Sequence, residues 1–350
     1  MSALFLLAGC TTPPPAQPVP KEWSVSGSVS NQPAIPLRKL TPITNPPPRV
    51  VRTVNPVLVT TWTSLEHWAA AEKISVRRVM VSPTIAYAVM AQNNLIVLTI
   101  GSRDASYNGI QFHLGFAPEM IDDQIFVHGL DLQKNLEPLL NEPPLQFNGT
   151  NRVIVLDPGH GGMNGGTISV LDGRPEKEFT LDLARRLKPL LEAEGWKVFM
   201  TRTNDTDLAL SNRVNFAESH HADCFISLHF NSSAPDKKQN GLETYCLTPT
   251  GMPSTITRDF ADPWTENLPN NFFDADNIRF AVRLHKAILN ATGEEDRGVR
   301  RARFIGVLRG QKRPALLIEG GYLSNPAEAA KIENPAFRQK LAEAIASALK

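Results

Sequence analysis

Val153-Ile154-Val155-Leu156-Asp157-Pro158-Gly159-His160-Gly161-Gly162 sets four aliphatic residues ahead of a turn rich in Gly and Pro. A short apolar run bounded in this way reads as a buried strand of a parallel sheet. The pattern occurs twice more. Cys224-Phe225-Ile226-Ser227-Leu228 leads into His229-Phe230-Asn231, and Ala315-Leu316-Leu317-Ile318 leads into Glu319-Gly320-Gly321. Ligand sites of open α/β sheets lie beyond the carboxyl ends of the strands. His160, His229 and Glu319 are therefore predicted to converge, although they are far apart in sequence.

Helical patterns separate these runs. Thr180 to Ala193 carries Leu181, Ala184, Leu187 and Leu191 at helical spacing, with Gly195 as its stop. Trp196 to Thr201 is the next predicted strand, and helices are predicted over 210–220, 278–291 and 335–349. The alternation predicts an α/β fold, a mostly parallel sheet with helices on both faces, over residues 150–350. Residues 57–147 read as a small α+β domain. Ser64 caps a helix, Leu95 to Gly101 is a strand, Asn108-Gly109 and Asp122-Asp123 are turns, and Gly129 to Leu140 is a closing helix.

The convergent residues suit amide hydrolysis. A zinc ion polarises a carbonyl and makes water more acidic, and a catalytic zinc takes three protein ligands and leaves one position open. His160 and His229 supply two imidazoles. In Arg174-Pro175-Glu176-Lys177-Glu178, Glu176 at a helix entrance is the best third ligand, with Glu178 as its competitor. Glu319 is read as ending its strand, with Gly320-Gly321 turning the chain so that the carboxylate is free to act as a general base. Asp157 is read as supporting the His160 loop. His67, His113, His128, His220-His221 and His285 are read as structural or surface residues.

Six blocks then carry a specific resemblance: Leu156 to Gly162, Glu176-Lys177, Ile226 to Asn231, Gly241-Leu242-Glu243-Thr244-Tyr245, Arg297-Gly298-Val299 and Ile318 to Pro326. Together with Thr201-Arg202 and Asn212-Arg213, they make residues 153–349 resemble the zinc-dependent N-acetylmuramoyl-L-alanine amidases of bacterial cell-wall hydrolysis. The resemblance implies Zn2+ as cofactor, His160, Glu176 and His229 as its ligands, and Glu319 as the catalytic glutamate. It implies hydrolysis of the amide between N-acetylmuramic acid and L-alanine of the stem peptide in peptidoglycan. Phe230 stands where Ala is usual, and Gly320 replaces a larger residue. Asn231, Arg300 and Arg301 are candidate substrate contacts. The Pro- and Asn-containing segment 248–277 is expected to be a substrate-groove loop. In some relatives an insertion near this point blocks the site until a partner removes it, so a protein activator belongs among the expected partners. Two other readings compete: a non-catalytic wall-binding protein on the same fold, and another zinc peptidase or deacetylase of the wall.

The 57–147 segment resembles the copper amine oxidase N-terminal-like domain through Leu98 to Ser102, Asn108-Gly109, Ala117-Pro118 and Phe126-Val127, with no copper site implied. Residues 11–56 read as a linker, because 12 of the 28 prolines fall there and exclude regular helix. Leu7-Ala8-Gly9-Cys10 resembles a lipoprotein signal over residues 1–10, which implies lipidation at Cys10. The resemblance implies a periplasmic, lipid-anchored place in the cell envelope, and Thr11 after the cysteine, where an acidic residue retains some lipoproteins in the inner membrane, points to the outer membrane. A net charge of +1 gives no global reason to expect nucleic acid as a partner. Three cysteines without a CxxC pair argue against a cysteine-based metal site or a disulfide scaffold.

Overall fold

The computed structural model describes residues 61–81, 84–141, 145–147, 151–256 and 262–350. The expectations for Cys10 and the proline-rich linker lie outside them. All the described residues fall in one compact unit.

The chain opens with β1 (Trp62–Ser64) and α1 (Leu65–Glu72), whose first turn is capped by Ser64 accepting from the His67 amide. An antiparallel meander follows: β2 (Ser75–Val81), β3 (Thr84–Ala91), β4 (Asn94–Thr99), β5 (Asp104–Tyr107) and β6 (Ile110–His113). Asn108 and Gly109, between β5 and β6, both have positive φ, the geometry that a two-residue hairpin needs. Asp122 and Asp123 do the same between β7 (Glu119–Ile121) and β8 (Gln124–His128). The predicted closing helix is α2 (Gly129–Asp131), a π-helical turn (Leu132–Leu136) and α3 (Glu137–Leu140).

The second half alternates as predicted: β9 (Val153–Pro158), α4 (Glu176–Ala193), β10 (Lys197–Met200), α5 (Leu210–Ser219), β11 (Cys224–Asn231), β12 (Leu242–Cys246), α6 (Asp274–Thr292), β13 (Asp296–Arg301), α7 (Gly306–Arg309), β14 (Ala315–Tyr322), α8 (Pro326–Glu333) and α9 (Pro335–Ser347). The strands order as β10-β9-β11-β14-β12-β13. All neighbours are parallel except β12 and β14. The α/β class expected from the sequence is therefore what forms.

The pleat explains the two apolar layers. Ile154, Leu156, Ile226, Leu228, Leu316 and Ile318 join one core with α4, α6 and α9. Val155, Phe225, Ala315 and Leu317 join the opposite core with residues of α5 and α7. Strands with both faces covered must be apolar at every position, which is why these runs do not alternate.

The sheet does not stop at residue 150. Strand β13 pairs in parallel with β6, bringing Val299 opposite Phe112, so the meander continues the second-half sheet to 11 strands. The first core also runs through Leu65, Ile96, Phe112, Leu136 and Leu139. Polar contacts cross the same junction. Lys134 Nζ lies 3.2 Å from Asp274 Oδ2, and the Gln111 amide donates to Asp296 Oδ2 at 2.9 Å.

Two details differ from expectation. Glu319 does not end β14, which continues through Gly320 and Gly321 to Tyr322, and His229 likewise lies inside β11. A register irregularity between His229 and Asn231 lets both strands run on, and Gly321 (φ 130°) supplies the backbone conformation. Residues 274–277 already belong to α6, so the irregular segment is shorter than predicted.

Candidate metal centre

Three short-range features bring the site together. Strand β9 delivers the chain to Gly159 and to His160, which holds a left-handed conformation (φ 62°) unusual for a non-glycine residue. Helix α4 begins at Glu176, after Pro175, so the side chain stands at the helix entrance. Strand β11, next to β9, carries His229. One ligand atom from each of His160, Glu176 and His229 lies within 4.8 Å of the others. Glu178, the competing carboxylate, is exposed.

Glu176 is nearly fully buried and uses both oxygens. Its Oε1 lies 2.9 Å from His229 Nδ1 and accepts from the Phe230 amide at 3.0 Å. Its Oε2 lies 3.0 Å from His160 Nε2 and accepts from the Thr167 amide at 3.1 Å. Burial opposes ionisation of Glu176, but its hydrogen bonds and charge contacts with the two rings hold its carboxyl well below the usual range. For His160, burial works against protonation, but the Glu176 carboxylate outweighs it and the pKa is raised.

The far nitrogen of His160 decides the chemistry. Its Nδ1 lies 2.9 Å from Asn164 Oδ1, an oxygen that also accepts from the Gly166 amide. An amide oxygen only accepts, so Nδ1 carries a proton, and whenever the ring is neutral its lone pair lies at Nε2, towards a carboxylate oxygen. Two acceptors 3.0 Å apart call for a cation or a second proton between them. An N, N, O donor set fits a divalent zinc-type ion, and among the described residues no fourth metal-ligating side chain joins the group. The rings of His160 and His229 keep 21% and 17% of their side-chain surface, so the cluster opens to solvent on one side.

The surroundings are built to hold this geometry. A Cβ at Gly159 would come within 2.3 Å of His229 Cε1, so only glycine admits that ring. Asp157 accepts from Thr201 Oγ1, Arg213 Nη1 and Ser227 Oγ at 2.6, 2.7 and 2.8 Å. Arg213 then donates to the carbonyls of Pro158 and His160, and Arg202 donates to those of Pro158 and Gly159. The loop ahead of His160 is thus fixed at consecutive carbonyl groups.

Glu319 is the register partner of His229 on β14. Its Oε2 is buried without a hydrogen-bond partner. Burial first, then the charges of Glu176 and Glu243, push its pKa well above the usual carboxylate range. Gly320 and Phe230, the two departures from the family pattern, are neighbours. A Cβ at Gly320 would meet Phe230 Cε1 at 3.0 Å, so the large ring occupies the room that a larger residue at 320 would need.

Glu243 was not singled out from the sequence, although its block was noticed. It lies opposite Glu319 on β12, and its Oε1 accepts from Arg297 Nε at 2.9 Å with Arg300 Nε at 3.2 Å. Its Oε2 accepts from Asn231 Nδ2 at 2.8 Å and from the Tyr245 hydroxyl at 2.7 Å. Burial would raise its pKa, but Arg300, Tyr245 and Arg297 hold it low. A carboxylate inside the apolar strand Leu242–Cys246 was the available signal, since buried acids need partners.

The candidate substrate contacts divide. Asn231 and Arg300 both engage Glu243, beside the cluster. Arg301 corrects the expectation: only 2% exposed, it donates to Leu247 O, Lys134 O and Asn135 Oδ1 and ties β13 to the helical segment at 129–140. Strand alternation turns it away from the face that Arg300 uses. The remaining histidines make local contacts. His128 caps α2, His220 stacks on Phe216, and His285 sits between Thr244 Oγ1 and Asp296 Oδ1. Segment 249–256 is pinned by Arg103 and Arg301 through backbone contacts. Cys224 and Cys246 are buried free thiols.

Fold and site together define an α/β protein with a His-Glu-His cluster that could hold a metal ion, beside the parallel strands β9 and β11. Residues 154–350 match the family model described as N-acetylmuramoyl-L-alanine amidase, and the chain belongs to that family. It is 32% identical over 243 residues to the N-acetylmuramoyl-L-alanine amidase AmiC of Escherichia coli O6:H1, covering 63% of this chain and 58% of that protein. It is 34% identical over 238 residues to AmiC of Neisseria meningitidis serogroup B, covering 62% and 56%. The chain thus spans less than two thirds of the length of these relatives. The solved catalytic domain of CwlV from Bacillus (Paenibacillus) polymyxa var. colistinus is 33% identical, covering 57% of this chain and 96% of that one, with a TM-score of 0.47.

Proposed function

We propose that this protein hydrolyses the amide between N-acetylmuramic acid and L-alanine of the stem peptide in peptidoglycan. The observation that carries the reading is the His160–Glu176–His229 cluster, whose His160 lone pair faces a carboxylate, with Glu319 beside it. The donor set points to zinc, held by His160, Glu176 and His229. When bound, the ion would polarise the amide carbonyl, make water more acidic and offset the negative charge of Glu176 near Glu319.

The chain's own groups supply the rest. Glu319 takes a proton from the attacking water as its oxygen bonds to the carbonyl carbon. The same carboxyl returns that proton to the nitrogen as the carbon–nitrogen bond breaks. Glu243, held by Arg297 and Arg300, keeps the flanking strand in place. The lipid anchor at Cys10, the copper amine oxidase N-terminal-like character of residues 57–147 and a site of action in the cell envelope belong to the same proposal.

The test is mass spectrometry of purified peptidoglycan digested by the full chain with zinc, beside Glu319→Gln. Stem peptides beginning at a free L-alanine, released by the wild type alone, are expected. Cleavage at a peptide or acetyl bond would favour a peptidase or deacetylase, and zinc binding without any release would favour the wall-binding reading.

A further inference from the structure

The junction between β6 and β13 forms an open cavity of about 390 Å³. Arg103, Gln111 and His113 come from the first half of the chain, and Asp296, Arg297 and Arg300 from the second. Gly298 (φ 86°) permits this close approach, because a Cβ there would meet His113 Nε2 at 3.0 Å.

The three acids of the cavity already have partners, and Glu295 accepts from Asn240 Nδ2 at 2.7 Å. Asp104 pairs with His113 Nδ1 at 2.8 Å. Asp296 faces His285 and accepts from the amides of Gln111 and Gly298. The cations are not all used. Arg297 and Arg300 share the single carboxylate of Glu243, and Arg300 contacts it and the Arg297 carbonyl through Nε alone. Among the described residues nothing hydrogen-bonds Arg300 Nη1 or Nη2. The unspent capacity is therefore a guanidinium fork, which suits a planar carboxylate.

Position adds a second constraint. From Glu319 on β14, the sheet passes to its register partner Glu243 on β12, and Arg300 on β13 pairs with Tyr245, two residues further along β12. Two strand spacings of about 10 Å and an offset of about 7 Å along the strand separate the two backbone positions by about 12 Å, the reach of about three to four extended residues. We propose that this cavity binds a carboxylate of the stem peptide about three to four residues from the cleaved amide, so that the first half of the chain helps to select the substrate. The inference rests on the amidase reading above for the identity of the ligand.

Two soluble muropeptides that differ only in that group, carboxylate against carboxamide, provide the test with the full zinc-loaded chain. The wild type is expected to show a KM about tenfold or more lower for the carboxylate, the effect of one charge-assisted bidentate contact. Arg300→Gln should collapse that ratio towards one. Gln111→Glu, which places a like charge at an exposed position of the wall, should do so without removing any hydrogen bond that the fold uses. Equal KM values in the wild type, or a preference that survives both substitutions, would overturn the proposal. Calorimetry with the free peptide separates the two readings. If the wild type cleaves neither muropeptide, the amidase reading fails. Tighter binding of the carboxylate peptide, lost in Arg300→Gln, would then still support the cavity assignment, and equal binding would sink it.

Discussion

The contact between His160 Nδ1 and Asn164 Oδ1 settles which nitrogen of His160 faces Glu176. Without it, the ring can rotate or adopt the other tautomer, and the lone pair is no longer pre-aimed. Asn164→Ala is expected to weaken metal affinity by about 10- to 100-fold while the fold persists, as read by competition with a chelator. Glu319→Gln has a different signature. It keeps shape and metal binding but cannot accept a proton, so turnover should fall by about 10²- to 10⁴-fold with metal content unchanged. The types of these residues were legible in the sequence, because each follows or opens a recognisable element. Asn164, Arg213 and Glu243 were not assigned, since nothing local distinguishes a supporting Asn or Arg from a surface one.

At the scale of elements, Phe230 on β11 and Gly320 on β14 make a coupled pair. Gly320→Leu alone should destabilise by about 1–3 kcal/mol through overpacking, and Phe230→Ala alone by about 3–5 kcal/mol through a cavity. The double variant should cost less than the sum, with a coupling of about 0.5–3 kcal/mol in urea unfolding. Additive costs would mean that the two do not share that space. A second element carries a pH signature. Asp131 in α2 is fully buried and accepts from the amides of Gly115 and Phe116 and from Asn135 Nδ2. Burial raises its pKa to about 6 despite those bonds. The folded state therefore holds this proton more tightly than the unfolded chain does. The stability it contributes is complete below about pH 4 and is lost as pH rises through about 6, on the order of 3 kcal/mol. The urea midpoint should fall across that window, and Asp131→Asn should flatten the slope. Helices and strands were legible at this scale because apolar spacing and turn residues act locally. The continuation of β14 past Glu319 was not, because it depends on a neighbouring strand that accommodates the irregularity.

Across the whole molecule, the junction of β6 with β13 joins the two halves through one sheet and one core. A fragment covering residues 150–350 would expose the β13 edge and the apolar surface against which Phe112, Leu136 and Leu139 pack. It is expected to melt lower than the full chain and to aggregate, as checked by thermal unfolding and light scattering. Phe112→Ala in the full chain should cost about 3–5 kcal/mol and be lost in one transition shared by both halves. Two separate transitions, with the second unaffected, would show that the halves fold independently.

By itself, the sequence determined the strands that carry His160, His229 and Glu319, the helix entrance that carries Glu176, and hence the α/β class. Those features follow from the period of apolar residues and from Gly and Pro conformations, which act over a few residues. Only the tertiary structure decided that β6 docks on β13, that Glu243 is held between Arg297 and Arg300 beside Glu319, and that Arg301 is spent on packing. Each of these depends on which strand finds which neighbour. Strand pairing is a contest among many apolar edges of similar pattern, settled by the packing of the whole chain.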